Sequence, residues 1–153
     1  MSKYKIKFVS NRNTVLLFLI SLPLLGLGLF YLFLNSRSLA IVRVVGFIGF
    51  IIIFFLRKKF VTGFTEWEID ENKVSIIWVK QFKFTNNEDS IWEWSDIKRI
   101  DQHPGSTFYT LKIELVSGKK MIFYHDISTK GDDFNEFIKV LFQTYNKNVS
   151  QNT

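Results

Sequence analysis

The sequence predicts a membrane α-helical hairpin joined to an α+β domain, a small antiparallel β-barrel or sandwich capped by a C-terminal helix. Three observations carry this prediction. Two long apolar runs separated by a short polar break fill the first third of the chain. The hydrophobic period then falls to about two, and the last stretch switches to helical spacing. The 153 residues leave room for one soluble domain beside the membrane segment, and a 47% hydrophobic content with seventeen Phe suits that division.

The first apolar run, Thr14 to Leu34, is free of charge. Its twenty-one residues would extend roughly 31 Å as a helix, the thickness of a hydrocarbon core. Asn35-Ser36-Arg37-Ser38 is a polar turn, and Leu39 to Leu56 forms a second run that stops at Arg57-Lys58-Lys59. Lys3, Lys5, Lys7 and Arg12 precede the first run, three basic residues follow the second, and Arg37 stands alone in the turn. That asymmetry predicts a multi-pass protein of the inner (plasma) membrane with both termini cytoplasmic. Arg12, Arg37, Arg43, Arg57, Lys58 and Lys59 are the expected membrane-flanking residues. Arg43 lies about one turn inside the second run, where its side chain can snorkel to the headgroups. Ser38-Leu39-Ala40 resembles a signal-peptidase site, but the apolar stretch before it is longer than the usual 7–15 residues. Pro23 marks a kink in the first helix, and Gly26, Gly28, Gly46 and Gly49 offer close helix packing without forming G-x-x-x-G.

Charge separates the two parts of the chain. Nine of the twenty basic residues and none of the fourteen acidic ones precede residue 60, so residues 60–153 carry a net charge of −3. The overall charge of +6 therefore belongs to the membrane segment, and the domain lacks the basic footprint of a nucleic-acid binder.

Beyond residue 60, Trp67 and Ile69 alternate with Glu66, Glu68 and Asp70, and Asp70-Glu71-Asn72 reads as a turn. Lys73 to Phe84 reads as a long strand, covered on both faces where Ile77 and Val79 are apolar too. Ile91 to Trp94 and Asp96 to Gln102 are short strands, and His103-Pro104-Gly105 breaks the chain. Tyr109 to Leu115 and Lys120 to His125 form a hairpin about Ser117-Gly118. Phe134, Phe137, Ile138, Leu141, Phe142 and Tyr145 follow helical spacing, with Asp132 or Asp133 as the N-cap. The expected division is a basic leader over 1–13, the hairpin over 14–59, the domain over 60–149 and a tail over 150–153. Lys3-Tyr4-Lys5-Ile6-Lys7-Phe8 alternates strictly. It reads either as an extra strand on an edge of the domain or as an unstructured leader touching anionic lipids.

Trp67-Glu68-Ile69-Asp70, the stretch Trp94-Ser95-Asp96-Ile97-Lys98-Arg99-Ile100 and the closing helix together resemble small bacterial proteins that place two membrane spans before a pleckstrin-homology-like domain. The resemblance implies fold and topology more than activity. Asp70-Glu71-Asn72-Lys73 stands where inositide-binding members carry basic residues, so inositide binding is not implied. The architecture is also similar to two-span anti-phage effectors of CBASS type, whose barrel senses a cyclic nucleotide and triggers membrane disruption. An immunity protein against a membrane-acting toxin is a third reading.

Nothing in the residue pattern suggests catalysis or a cofactor. Cys is absent, and His103 and His125 have no neighbour at metal-ligand spacing. The acidic pairs Glu88/Asp89 and Asp132/Asp133 fit a loop and a helix start. Trp92 and Trp94 share a face of a short strand and are the expected ligand- or partner-binding residues. The expected function is thus a non-enzymatic binding or scaffold module. Its expected partners are the bilayer and a protein, a second copy or a small molecule, with no nucleic-acid polymer.

Overall fold

The computed structural model describes residues 2–36, 38–83, 87–127, 129 and 131–150. The chain forms two compact units, one of Asn11–Thr62 and one of Met1–Ser10 with Gly63–Thr153. The ten-residue leader therefore belongs to the same unit as the C-terminal domain, and the hairpin is an insertion within it.

In the inserted unit, α1 (Asn11–Ser36) and α2 (Leu39–Phe60) are two helices long and apolar enough to cross a membrane. At 26 and 22 residues they extend roughly 39 and 33 Å. They are apolar on nearly every side, and the buried residues are Asn13 and Ile53. Pro23 sits inside α1. The helices pack through glycine: a Cβ at Gly46 would meet Leu29, and one at Gly49 would lie 2.4 Å from Leu25 Cδ1. Gly26 and Gly28 face open space, so the packing glycines are both on α2. At the other end the Asn13 side-chain amide donates to the Phe60 carbonyl (3.2 Å), tying the first turn of α1 to the last of α2.

The second unit is one seven-stranded sheet in the order β4-β3-β2-β1-β7-β6-β5. The strands are β1 (Ser2–Val9), β2 (Thr62–Ile69), β3 (Lys73–Lys80), β4 (Ser90–Glu93), β5 (Ile97–Pro104), β6 (Phe108–Leu115) and β7 (Lys120–Asp126), followed by α3 (Phe134–Ser150). The leader is a strand, and it lies between β2 and β7 rather than on an edge.

The expected closed barrel does not form. β4 and β5 remain the two edges, although the 3-10 turn Trp94–Asp96 is all that separates them in sequence. β4, at four residues, is too short to extend a ladder along the eight of β5. α3 covers the inner face instead, burying Phe134, Phe137, Ile138 and Leu141 as the spacing predicted. The Tyr145 hydroxyl donates to the Lys98 carbonyl (2.9 Å), and its burial raises the phenol above its ordinary pKa.

The core centres on Trp67, whose ring meets Phe8, Trp92, Phe123 and Phe137 at centroid distances of 4.8–6.3 Å. Its indole N–H donates to Thr65 Oγ1, which in turn donates to the Ile6 carbonyl of β1 (3.0 and 3.1 Å). This buried relay satisfies the polar groups that accompany the aromatic cluster.

Two expectations for β3 change. The strand ends at Lys80 rather than running to Phe84, which lies outside the described residues. Ile77 and Val79 are exposed rather than covered, because they alternate with the inward-facing Ile76 and Trp78 and lie on the face opposite the one that α3 covers.

Candidate binding site

A concavity of about 420 Å³ opens where the β2–β3 turn, the start of β1 and the C-terminal half of α3 meet. Its wall is Ser2 and Ile69 with Asp70, Glu71 and Asn72 on one side, and Val140, Thr144, Lys147 and Asn148 on the other. Trp94 fixes the turn from behind. Its indole N–H donates to the Asp70 carbonyl (3.0 Å) and its backbone N–H to the Asn72 carbonyl (3.3 Å). The turn is further closed by Asp70 N–H donating to the Lys73 carbonyl (2.9 Å). The Asn148 amide donates to the Thr144 carbonyl (2.9 Å), which holds the helical rim.

Two carboxylates, one ammonium, two hydroxyls and two amides make a polar recess for a ligand carrying positive charge or hydroxyl groups. A phosphate would meet the Asp70–Glu71 pair and be repelled. Among the described residues no group of three or more His, Asp or Glu could hold a metal ion.

The expected binding residues Trp92 and Trp94 lie elsewhere than on a stacking surface. They are 7% and 5% exposed and belong to the core, so neither ring offers a free face. On β4 the exposed side chains are Ile91, opposite Ser75 of β3, and Glu93, opposite Lys73. The alternation that places Trp92 inward places Ile91 outward. Trp94 acts on the concavity indirectly, by positioning its turn.

The two histidines separate in the same way. His103 is exposed on β5, opposite Thr110. His125 is buried, with Nε2 2.8 Å from Asp132 Oδ2 and its ring stacked 3.8 Å from that of Phe134. Its partner carboxylate, Asp132, lies seven residues along the chain.

Asp132 also accepts from the Lys7 backbone N–H (3.2 Å), and Asp133 Oδ2 accepts from the Lys5 backbone N–H (2.8 Å). Asp133 N–H returns a bond to the Lys5 carbonyl (3.3 Å), while the Asp133 carbonyl accepts the first helical bond from Phe137 N–H (2.8 Å). Asp133 thus stands at the expected N-cap position, while the side chains of both acidic residues clip β1. β1 and β7 meet at Val9↔Tyr124, and the two carboxylates serve the β1 backbone beyond that point.

On the opposite flank Lys3 pairs with Glu68, and Lys5 with Glu66 at 3.5 Å. The Glu68 carboxylate raises the Lys3 ammonium above its ordinary pKa by hydrogen bonding and charge. The basic leader is in this way partly neutralised by the acidic β2.

Of the flanking residues, Arg12, Arg43, Lys58 and Lys59 are exposed, Arg57 is half-buried, and Arg37 lies outside the described residues. No family model matches the chain, and no curated protein or solved structure matches it either.

Proposed function

We propose that the chain is a membrane-anchored, non-enzymatic binding or scaffold module, holding a pleckstrin-homology-like sheet domain at the cytoplasmic face of the inner membrane. The observation that supports this reading is the place of the hairpin in the sheet. β1 precedes α1 and β2 follows α2, yet the two strands are neighbours. A segment that crosses the membrane twice between adjacent strands leaves both on one side. The basic residues at that end favour the cytoplasm. Cleavage after Ala40 would remove β1 with buried Tyr4, Ile6 and Phe8, so the sheet argues for an uncleaved anchor.

The ligand surface we favour is the Asp70–Asn72 and α3 recess, whose volume falls within the range of small-molecule sites. Its chemistry suits a basic or hydroxyl-rich group, such as a Lys- or Arg-bearing segment of a partner protein. The membrane-effector reading comes second. It is favoured by the single residues, Ser10 and Val61, that separate β1 from α1 and α2 from β2, so a change in the strands reaches the helices directly.

The absence of Cys makes the topology testable with single-cysteine variants of the full chain. Ser36→Cys should react with a membrane-impermeant maleimide in intact spheroplasts, and Ser117→Cys after permeabilisation alone; the opposite pattern would overturn the cytoplasmic placement. Native mass spectrometry of the protein in its own lipids then tests the site. A protein adduct lost in Thr144→Arg supports the scaffold, whereas a nucleotide-mass adduct with higher oligomers replaces it with the effector.

A further inference from the structure

The outer face of β2, β3 and β4 carries Phe64, Ile77, Val79 and Ile91, all exposed and apolar. The register puts Phe64 opposite Lys80, Glu66 opposite Ile77 and Ser75 opposite Ile91. The four side chains therefore form a diagonal stripe whose first members are Phe64 and Val79. At that end the Lys80 ammonium lies 5.6 Å from the centroid of the Phe64 ring. An aromatic ring with a lysine folded over it pairs an apolar body with a cationic tip, the combination enriched where protein meets headgroups.

The stripe is also graded in its distance along the chain from the spans. Phe64 lies four residues beyond Phe60, the last residue of α2, a reach of no more than about 14 Å. Ile91 lies opposite Ser75, four residues up β3 from Val79 and so about 13 Å farther along the strand. Of the carboxylates near this face, Glu66 is paired with Lys5 and Glu68 with Lys3, Asp89 accepts from the Trp78 backbone N–H (2.7 Å), and Glu93 lies beyond Ile91 at the far end. The end of the stripe that follows α2 most closely along the chain thus carries Lys80 beside Phe64 and Val79.

We propose that Phe64 and Val79, with Lys80, form a lipid-contact edge that rests in the anionic headgroup layer and fixes the orientation of the domain on the membrane. This rests on the membrane anchoring proposed above and adds a second, non-spanning attachment to it. Two apolar side chains bury little area beside two whole spans, which suits an orienting contact better than an anchor.

Single-cysteine variants of the full chain at positions 79, 77 and 91, with Phe47→Cys as a reference in α2, carry a spin label in nanodiscs of phosphatidylethanolamine and phosphatidylglycerol, one copy per disc. Collision rates with oxygen and with a water-soluble nickel chelate give the depth of each label. The expected order is Phe47 deepest, then 79, then 77, with 91 in water although Ile91 is the most exposed of the stripe. Lys80→Glu should bring the label at 79 toward water, and replacing phosphatidylglycerol by phosphatidylcholine should do the same without the substitution. Equal chelate access at 79 and 91 with Phe47 still in lipid would overturn the edge and leave the anchor standing. Loss of depth at Phe47 would overturn the anchor itself. Protection at 91 equal to that at 79, with spin–spin broadening at two copies per disc, would assign the stripe to a second copy and overturn the lipid contact.

Discussion

The two units use apolar residues in opposite ways. In the hairpin the large side chains point outward: Leu27 is 67% exposed and Phe47 68%. In the sheet unit the largest ones, Trp67 and Phe8, are fully buried. The same chemistry, placed outside in one unit and inside in the other, implies two different solvents. Composition does not carry that distinction, but period does. A continuous apolar run can satisfy its backbone internally as a helix in lipid, whereas alternation needs water on one face.

The largest test of this contrast is truncation in each unit. Trp67→Ala removes the ring around which Phe8, Trp92, Phe123 and Phe137 pack, and should destabilise the sheet unit by about 3–5 kcal/mol. Phe47→Ala, at an exposed position of α2, should stay within about 0.5 kcal/mol. Denaturant unfolding in nanodiscs, followed by near-ultraviolet circular dichroism, measures both. A comparable loss at Phe47 would mean that this face packs against protein rather than lipid.

The second test addresses how the leader is held. Asp132→Ala leaves the buried His125 and the Lys7 N–H without their acceptor, and should cost about 1–3 kcal/mol. Hydrogen exchange should quicken most at the amides of Lys5 and Lys7, while the β5–β6 ladder keeps its protection. Uniform quickening across all strands would show that the clip stabilises the unit as a whole rather than β1 locally.

These elements also mark how far the sequence could be read. The spans, the alternating strands, the turn at Gly118 with its φ of 85°, and the face of α3 follow from local period and turn chemistry. The position of β1 does not, because the choice of neighbour is a nonlocal property of strands interrupted by 52 residues of hairpin. The alternation of Lys3 to Phe8 allowed a strand as readily as an unstructured leader, and it did not say that the strand lies between β2 and β7. Trp92 and Trp94 were legible as a pair on one face, but not as a core pair, since that depends on which face α3 covers. The roles of Asp132 and Asp133 were hidden for the same reason: a carboxylate before a helix looks like a cap until another strand comes within reach. The recess had its acidic half visible in Asp70-Glu71-Asn72, while α3 supplied the other half from seventy residues away.

A smaller effect separates the glycines. Gly49→Ala places a Cβ 2.4 Å from the end of the Leu25 side chain, which can move, so the cost should be about 1 kcal/mol. Gly26→Ala, facing open space, should leave helix association unchanged or strengthen the helix slightly. Förster transfer between labels at the two ends of the hairpin distinguishes them. Equal effects would remove α2's glycines as the packing surface.

The smallest effect is electrostatic, and it sharpens the contrast because the inserted unit contains no Asp or Glu. Glu114 accepts from the Lys98 ammonium (3.0 Å) and lies 3.9 Å from that of Lys120, and the hydrogen bond from Lys98 holds its carboxyl below the ordinary value of 4.5. A carboxylate lowered in the folded state stabilises fully above its unfolded value, and that stability fades as pH falls from about 4.5 through the lowered folded value. Lys3 is the mirror case. Raised above 10.5 by Glu68, it contributes in full below 10.5 and loses its contribution as pH climbs through the folded value. Both groups are at the surface, so each changes the pH profile by little. Glu114→Gln should flatten the acid limb and spare the alkaline one, and Lys3→Gln should do the reverse. All four Trp lie in the sheet unit, so their fluorescence follows it selectively, while helicity of the hairpin should hold constant across the acid range. An acid limb unchanged in Glu114→Gln would assign the pH response to other carboxylates of the domain. Helicity lost from the hairpin in step with the sheet would show that the two units unfold together despite their different solvents.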